Sequence, residues 1–369
     1  MKKILLIGVE PRSLINFRGS LIHAMEDKGC NVIAVSSPAP EPLLKAFNEQ
    51  YIHHQAVRFQ RNGLNPINDL KSLMALKKLF KREKPDFILC YTIKPVIWGG
   101  LAALLTGTKF YALVTGLGFA LQGESFKRKM LTKLVSFLYR ISLSHATKVV
   151  FQNSDNRDLF VGRNIIPLDK SEVVNGSGVD ISHFSNCDLP SFQNGIHFLC
   201  VARLLGEKGL REYAKAALTV KAKYPKANFL LVGPEDTSLD GIALNEVQSW
   251  SEVDYLGSTQ DVRPFIEKVH VYVLPSYHEG LPRSTIEAMA MGRPVITTDA
   301  VGCKETVEEG INGFKVPVSD AAGLADKMIW FIEHSDQIEP MGLASRKMAE
   351  EKFDVHKVNA RMLEIMGLS

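Results

Sequence analysis

Four charged residues in the second half of the chain have side chains that could act together on one ligand. Arg203 and Lys208 follow a short apolar run, while Glu279 lies on a loop eight residues before Glu287, which lies in a helical segment. A guanidinium fork and an ammonium group beside loop amides can clamp a diphosphate. A carboxylate one turn into a helix can accept hydrogen bonds from two hydroxyls of a ribose. Each motif alone is also compatible with exposed turn or capping residues, but the four together favour a binding site.

The segment around the two glutamates predicts a helix N-terminus near that ligand. Pro275 and Ser276 end a predicted strand, residues 280–282 form a tight loop, and Ser284 is the predicted N-cap of a helix that continues through Met291. The first N–H groups of a helix have no partner within it, so they can bind an anion.

Two glycine pairs resemble the start of a dinucleotide fingerprint without completing it. Gly116-Leu117-Gly118 has Leu121 where a third glycine is required, and Gly176-Ser177-Gly178 has Ile181 there. Neither pair is followed by a matching acidic strand end, and the chain has no Walker A lysine motif. These patterns therefore do not indicate NAD binding.

The sequence has no pattern typical of a metal site. Its five cysteines are far apart in the chain: Cys30, Cys90, Cys187, Cys200 and Cys303. There is no CxxC pair, no histidine cluster and no Asp-x-Asp. Reduced thiols, no metal and no cofactor are expected.

The elements that position these residues alternate between apolar runs and amphipathic helical segments, which predicts two doubly wound α/β domains. The predicted strands are residues 3–8, 31–35, 87–90, 111–114, 148–151 and 172–174 in the first half, and 197–201, 228–232, 254–256, 269–274 and 294–297 in the second. Gly, Ser, Asn and Pro accumulate at residues 175–194. The predicted organisation is a first domain at 1–178, a linker at 179–194, a second domain at 195–343 and a terminal helical segment at 344–369.

Length and composition agree with two globular domains. The chain has 369 residues, of which 46% are hydrophobic and 23% charged. The apolar run Ile4 to Val9 is too short for a signal peptide, and Val96 to Thr106 has about half of the roughly 20 residues that cross a bilayer. The chain is therefore expected on the cytoplasmic side without a membrane span.

The charge is divided unequally between the two halves. The net charge is +4, but residues 1–175 contain 25 Lys and Arg against 13 Asp and Glu, which leaves +12 there and −8 in the remainder. Two helical segments, Asp69 to Lys84 and Phe126 to Arg140, combine apolar spacing with lysine and arginine. Each alone is an ordinary surface helix; together they favour association with an anionic membrane surface. No RNA-binding motif or basic recognition helix indicates nucleic acid.

These motifs resemble those of family 4 of the retaining glycosyltransferases. The resemblance rests on residues 201–209 (VARLLGEKG), on Glu279-x7-Glu287 and on residues 274–299, and it extends over nearly the whole chain. It implies the GT-B fold, in which two Rossmann-like doubly wound domains face each other across a cleft. In the first half, Asn16-Phe17-Arg18, residues 91–95 (YTIKP) and Thr115-Gly116-Leu117-Gly118 are similar to bacterial enzymes of capsule, O-antigen and lipid-linked glycan assembly.

The resemblance also implies roles for individual residues. Arg203 and Lys208 would hold the donor diphosphate, Glu279 would contact the transferred sugar, and Glu287 would bind the ribose. Further donor contacts are implied for Gly280, Leu281, Pro282, Ser284, Thr285 and, in a predicted loop at residues 12–19, Gly19. Acceptor contacts are expected for Asn16, Arg18, Lys94, Thr115 and Gly116. Gly302-Cys303-Lys304-Glu305 is similar to a loop that often reads GGxxE. The terminal helical segment would cross back to the first domain, or simply pack at the end of the second.

The implied reaction is transfer of a hexose or N-acetylhexosamine, of the GalNAc or GlcNAc type, from a UDP-sugar to a polyprenyl-diphosphate-linked saccharide. The linkage would be α, no metal would be needed, and the protein would be peripheral on the inner face of the cytoplasmic membrane. A UDP-sugar 2-epimerase of the same fold and a non-catalytic nucleotide-sugar-binding protein are the alternatives. The Glu-x7-Glu pair fits the epimerase less well.

Overall fold

The computed structural model describes residues 1–59, 65–116, 126–238 and 240–368, with the side chains of 126–128 left out. The chain forms two compact units. The first contains Met1–Ser177 and Lys357–Ser369, and the second contains Gly178–His356. Residues 179–194, expected as a linker, belong to the second unit, where Val179 and Phe184 are buried in the hydrophobic core.

The first unit is built on a parallel seven-stranded sheet. Its strands are β1 (Lys3–Ile7), β2 (Asn31–Ser36), β3 (His53–Ala56), β4 (Phe87–Tyr91), β5 (Lys109–Val114), β6 (Ala146–Phe151) and β7 (Ser171–Val173). Their order in the sheet is β3-β2-β1-β4-β5-β6-β7. In β1 four successive apolar residues, Ile4 to Ile7, are fully buried, because helices cover a parallel sheet on both faces.

Helices pack on both faces of this sheet. The helices of the first unit are α1 (Pro11–Asp27), α2 (Glu41–Glu49), α3 (Pro66–Glu83), α4 (Ile93–Thr106), α5 (Phe126–Leu143) and α6 (Ser154–Gly162). One hydrophobic core contains buried residues of α3 to α6, and a separate core contains those of α1 and α2. We call α3, α4 and α5, which pack side by side, the α3–α5 layer.

The second unit is a six-stranded parallel sheet in the order β10-β9-β8-β11-β12-β13. Its strands are β8 (His197–Val201), β9 (Asn228–Val232), β10 (Asp254–Tyr255), β11 (Val271–Leu274), β12 (Val295–Thr298) and β13 (Gly313–Val316). The helices that follow in the chain are α7 (Leu210–Lys223), α8 (Leu244–Gln248), α9 (Arg263–Ile266), α10 (Arg283–Ala290), α11 (Ala321–Glu333), α12 (Ile338–Met348) and α13 (Val355–Met366).

The C-terminal segment contains two helices rather than one. A π-helical turn at Ala349–Phe353 separates α12 from α13. Met348 of α12 is buried in the core of the second unit, whereas Met362 and Met366 of α13 are buried in the core that contains α1 and α2 of the first. The Tyr111 hydroxyl also donates a hydrogen bond to the Met366 carbonyl oxygen at 3.3 Å.

Each sheet has a point at which the strand order reverses. In the first unit it lies between β1 and β4, and in the second between β8 and β11. Doubly wound sheets bind ligands beside the carboxyl ends of the strands at such a switch point. The loops that follow these four strands are therefore where functional side chains are expected.

Candidate functional site

Two loops meet at the switch point of the second unit. The chain leaves β8 into a short 3₁₀ turn, Gly206–Lys208, and leaves β11 into the loop that precedes α10. The Glu207 carbonyl oxygen accepts hydrogen bonds from the Tyr277 N–H at 2.8 Å and from the Ser276 hydroxyl at 3.2 Å. These bonds join the loop that carries Lys208 to the loop that carries Glu279.

Gly209 allows the close approach of these loops. Its φ of +69° is in the left-handed region, and a Cβ atom there would overlap the carbonyl oxygen of Pro275. Any larger residue would strain the backbone and push the two loops apart. Gly209 has no side chain that could contact a ligand, but the position of Lys208 next to the end of β11 depends on it.

Lys208 and Glu279 form an ion pair at the centre of the site. Lys208 Nζ lies 2.6 Å from Glu279 Oε1, and the two side chains are only 11% and 18% exposed. Lys208 Nζ is also 3.9 Å from the Glu207 carboxylate. The structure thus brings together two of the three residues expected to be catalytic. The Lys208 ammonium group lies where a bound anion could replace the Glu279 carboxylate as its partner.

The loop after β12 supports Glu279 from the other side. The Glu279 N–H donates to the Val301 carbonyl oxygen at 2.9 Å. Gly302, at φ +83°, leaves room for the backbone of Glu279, which a Cβ would overlap. Cys303 replaces the second glycine of the GGxxE pattern, and its side chain is fully buried, which raises the pKa of the thiol to about 12. The close approach therefore takes place at Gly302, and Cys303 packs inward as a neutral thiol.

Arg203 lies at the end of β8, but its ion-pair partner is Asp236 and not a member of the Lys208–Glu279 pair. Its guanidinium donates to an Asp236 carboxylate oxygen at 2.5 Å, and its side chain is about half exposed. Burial opposes ionisation of Asp236, but hydrogen bonds from Ser238 and Arg203 outweigh it and lower the pKa of that carboxyl. Asp236 and Asp240, which accepts the Glu207 N–H at 2.7 Å, are site residues that the sequence reasoning missed. The sequence feature that could have indicated them is their position in the turn that follows β9.

The start of α10 differs from the prediction in one respect. Its N-cap is Pro282, without a side-chain cap, so the prediction of Ser284 as the N-cap was wrong. Ser284 is the second residue of the helix, where its hydroxyl donates to the Val201 carbonyl oxygen and accepts from the Tyr272 hydroxyl. Thr285 is fully buried.

Backbone groups at the start of α10 remain as possible donors. Pro282 has no N–H and so cannot donate a hydrogen bond, whereas Gly280 and Leu281 each have one. The first intrahelical bond is donated by the Ile286 N–H, so the N–H groups of residues 283–285 have no acceptor within the helix.

Glu287 lies one turn into α10 and is largely buried. The Arg283 guanidinium donates to Glu287 Oε1 at 2.9 Å. Burial raises the pKa of the Glu287 carboxyl, Arg283 partly opposes this, and nearby Asp261 adds to it. A carboxylate in this environment gains from hydroxyl donors that replace lost water.

Tyr91, at the end of β4, organises the corresponding switch point of the first unit. Gly8, after β1, makes room for the Tyr91 ring. Burial raises the pKa of Tyr91 to about 12, and its hydroxyl is 2.7 Å from that of Ser13. The Arg18 guanidinium, which is buried, lies 5.0 Å from the centroid of the Tyr91 ring.

The predicted phosphate loop at residues 12–19 was wrong, because these residues belong to α1. A proline at the first helical position starts the helix earlier than the apolar spacing suggested. Gly19 lies in the interior of this helix, so it offers no free loop amide. Asn16, on the same helix, is exposed.

Lys94, in the first turn of α4, is held by an internal partner. Its Nζ lies 3.0 Å from Asp69 Oδ1 in α3, and the two side chains are 14% and 8% exposed. Thr92, just before α4, has a φ of +67°, a conformation that costs about 1–3 kcal/mol in a non-glycine residue and concentrates at functional sites.

The remaining acceptor-side predictions lie at the end of β5. Thr115 and Gly116 are half-buried there. Leu117 and Gly118 of the same motif lie outside the described residues. Within the described ranges there is no group of three or more His, Cys, Asp or Glu side chains that could hold a metal ion. No helix in the described part of the chain is long and apolar enough to span a bilayer.

Two doubly wound parallel sheets, one with a cation–carboxylate pair and a helix N-terminus at its switch point, define the GT-B class of fold. A family model described as Glycosyl transferases group 1 matches residues 195–334, and one described as Glycosyl transferase 4-like matches residues 3–153. The chain belongs to this family of glycosyltransferases.

Curated relatives match along most of the chain. The N,N'-diacetylbacillosaminyl-diphospho-undecaprenol alpha-1,3-N-acetylgalactosaminyltransferase of Campylobacter jejuni is 29% identical over 367 residues, which cover 96% of this chain and 95% of that protein. The UDP-Gal:alpha-D-GlcNAc-diphosphoundecaprenol alpha-1,3-galactosyltransferase of Escherichia coli is 27% identical over 286 residues, 72% of this chain and 71% of that protein.

Solved structures share the fold. HepE of Anabaena, crystallised with UDP-glucose, has a TM-score of 0.79 at 18% identity and covers all of both chains. A glycosyltransferase from Rickettsia africae has a TM-score of 0.77 at 21% identity, covering 99% of this chain and 97% of that one. The expected GT-B fold is confirmed.

Proposed function

We propose that this glycosyltransferase moves a hexose or N-acetylhexosamine from a UDP-sugar to a saccharide linked to polyprenyl diphosphate, with retention of the α configuration. The observation that carries the proposal is the Lys208–Glu279 pair, held between two loops at the switch point beside the start of α10. The names of the Campylobacter and Escherichia relatives, which contain diphospho-undecaprenol and diphosphoundecaprenol, support this acceptor class.

The donor diphosphate would occupy the cationic side of the site. Lys208 would exchange Glu279 for a phosphate oxygen, and Arg203 would likewise exchange Asp236. The N–H groups of Ser284 and Thr285, in the first turn of α10, would add donors to the same phosphate. Glu287 would accept hydrogen bonds from the ribose hydroxyls, and Glu279, released from Lys208, would contact the transferred sugar.

The reaction would then depend mainly on positioning and electrostatics. The bond between the sugar C1 atom and the diphosphate oxygen breaks, and the oxygen leaves with the electron pair. The acceptor hydroxyl oxygen bonds to C1 on the same face, and its proton passes to the departing phosphate oxygen. Lys208 and Arg203 would stabilise the charge that develops on the diphosphate, so neither a protein base nor a metal ion is required.

The acceptor would meet the first unit at the inner face of the cytoplasmic membrane. The charge of +12 on residues 1–175 supports this, because an anionic bilayer attracts a cationic surface. Thr115 and Gly116 at the end of β5, with exposed Asn16 on α1, would lie on the acceptor side. Arg18 and Lys94 have internal partners and would position these elements.

A product assay tests the proposal. The purified protein is incubated with UDP-GalNAc, UDP-GlcNAc, UDP-galactose or UDP-glucose, with and without a short-chain prenyl-diphosphate-linked saccharide, in EDTA. We expect an α-linked product that requires both substrates and is insensitive to EDTA. A β-linked product or a requirement for manganese would contradict the retaining, metal-free scheme. Conversion of UDP-GlcNAc to its C2 epimer in the absence of an acceptor would instead identify an epimerase.

A further inference from the structure

A cationic groove runs along the outer edge of the first unit, away from the switch point of that unit. It lies between the edge strand β3 and α3, with a volume of about 830 Å³. Of the described residues that line this groove, none has a carboxylate and four are cations: Arg58, Lys71, Lys78 and Arg82. We call these four residues and the space between them the α3 groove.

The charges of the α3 groove are largely uncompensated. Arg82 pairs with Glu83 at 2.8 Å. Among the residues that the structure describes, Arg58, Lys71 and Lys78 have no ion-pair partner. Like charges that converge on one cavity repel each other, and an anion that enters the cavity removes this repulsion.

The spacing of the cations argues against a single small anion. Lys71, Lys78 and Arg82 follow one side of α3, and the eleven steps from Lys71 to Arg82 give a length of about 16 Å at 1.5 Å per residue. A single diphosphate group is too short to contact all of them. A row of separate phosphate groups, such as the headgroups at a bilayer surface, matches this extent.

Exposed apolar side chains lie beside the α3 groove. Ile67, Leu70 and Met74 project from the neighbouring side of α3 and are 57–68% exposed. The same layer also exposes Leu104 and Leu105 of α4 and Met130, Leu134 and Phe137 of α5. On the opposite face of the sheet, the described part of α1, α2 and α13 has one exposed large apolar side chain, Phe17, at 41%. The apolar exposure is therefore concentrated on the α3–α5 layer.

The layer has the charge that an anionic bilayer requires. Neither α4 nor α5 contains an acidic residue, and Lys129 and Lys133 of α5 are exposed beside the apolar side chains. Apolar side chains with flanking lysines are typical of surfaces that lie in the headgroup region. A second copy of the chain would bring like charges together, and nucleic acid would leave the apolar side chains without a partner.

We propose that the α3–α5 layer docks on the bilayer, with the headgroups of anionic phospholipids in the α3 groove and the exposed apolar side chains inserted beside them. This deepens the membrane association proposed above by naming the docking face and the lipid class. The ligand is the bilayer phospholipid and not the diphosphate of the acceptor.

Vesicle co-sedimentation of the full chain tests the docking face. The vesicles are phosphatidylcholine alone, phosphatidylcholine with phosphatidylglycerol, and phosphatidylcholine with a polyprenyl diphosphate. We expect binding to require phosphatidylglycerol. The double variant K71Q/K78Q should bind about 25-fold more weakly, from roughly fivefold per cation. The matched control K28Q/K45Q, which removes two exposed lysines from the other side of the same unit, should bind nearly as the wild type does.

A second variant tests the apolar part. L134S/F137S should retain binding at low salt and lose it at high salt, where electrostatic attraction is screened. All variants should keep the wild-type Tm and the wild-type activity on a water-soluble short-chain acceptor, so loss of docking is separable from failure of the proposed reaction. The proposal would be overturned if K71Q/K78Q and K28Q/K45Q lost vesicle binding equally, or if binding required polyprenyl diphosphate instead of phosphatidylglycerol. It would also be overturned if the protein bound RNA but not vesicles, and K71Q/K78Q weakened the binding of RNA.

Discussion

Among the described residues, each unit contains one lysine–carboxylate pair in which both side chains are less than 20% exposed, and the two pairs are built differently. Lys208–Glu279 joins two loops that follow adjacent strands of the second sheet. Lys94–Asp69 joins the first turns of two helices, α4 and α3. The distances, 2.6 and 3.0 Å, and the exposures are similar.

The surroundings of the two pairs distinguish their roles. Lys208 lies at a switch point beside the first turn of α10, where the proposed function places the donor diphosphate. Lys94 lies at the positive end of the α4 dipole, an unfavourable place for a cation, and Asp69 compensates for it. Under the proposed function, the same kind of ion pair serves ligand exchange in the second unit and helix packing in the first, and only the neighbouring elements distinguish the two.

The largest expected effect is on turnover after loss of Lys208. K208A should lower kcat roughly 100- to 1,000-fold, the size of one preorganised electrostatic contact. Steady-state kinetics with the donor and a short-chain acceptor measure it. K215A, an exposed lysine of α7, is the control and should keep wild-type activity. If K208A were nearly as active as K215A, the Lys208–Glu279 pair would have no catalytic role that distinguishes it from Lys94–Asp69.

Loss of Lys94 should act on stability instead. K94A leaves Asp69 buried without its cation, which should lower the free energy of unfolding by about 3 kcal/mol. The double variant K94M/D69L should recover most of this loss, and it should keep kcat within a few-fold of the wild type. Thermal and denaturant unfolding give the stabilities. A folded double variant without activity would assign Lys94 to the acceptor site.

The backbone at Gly209 provides a smaller, matched comparison. Gly209 and Gly310 both have φ near +70°, but a Cβ has no neighbour within 4 Å at Gly310 and overlaps Pro275 at Gly209. G310A should therefore cost about 1 kcal/mol from the left-handed backbone alone. G209A should cost about 2 kcal/mol more, because the loops must separate. Urea unfolding tests this, and equal costs would mean that the close approach does not hold Lys208 in place.

The smallest expected effect is the pH dependence at Glu287. Because burial raises the pKa of this carboxyl in the folded chain, folding takes up a proton and stability falls as pH rises from the usual glutamate range through the raised value. E287Q should therefore become more stable than the wild type as pH rises, while donor affinity falls. E246Q is the opposite-sign control, since the Arg211 hydrogen bond lowers the pKa of Glu246. The measurement is Tm as a function of pH for the wild type and both variants. If the Tm difference from the wild type changed in the same direction with pH for E287Q and E246Q, the raised pKa of Glu287 would be contradicted.

Sequence reasoning succeeded where apolar runs are long. The predicted strands 197–201 and 228–232 agree with β8 and β9 at both ends. The strands β3 (HHQA) and β13 (GFKV) were not predicted; each is at the edge of its sheet, where polar residues are tolerated and no continuous apolar run forms. The start of α1 was placed too late, because buried Arg18 interrupts the apolar spacing.

The sequence by itself determined the alternation of strands and helices, the identities of the four charged residues and the unequal charge of the two halves. These properties are local or additive, so they can be read along the chain. The tertiary structure decided that Lys208 meets Glu279 although 71 residues separate them, whereas Arg203 turns to Asp236. It also decided that Lys94 is paired and that the apolar side chains of three helices share one face. Such pairings follow from strand order and close backbone approaches, which arise only when distant segments pack together.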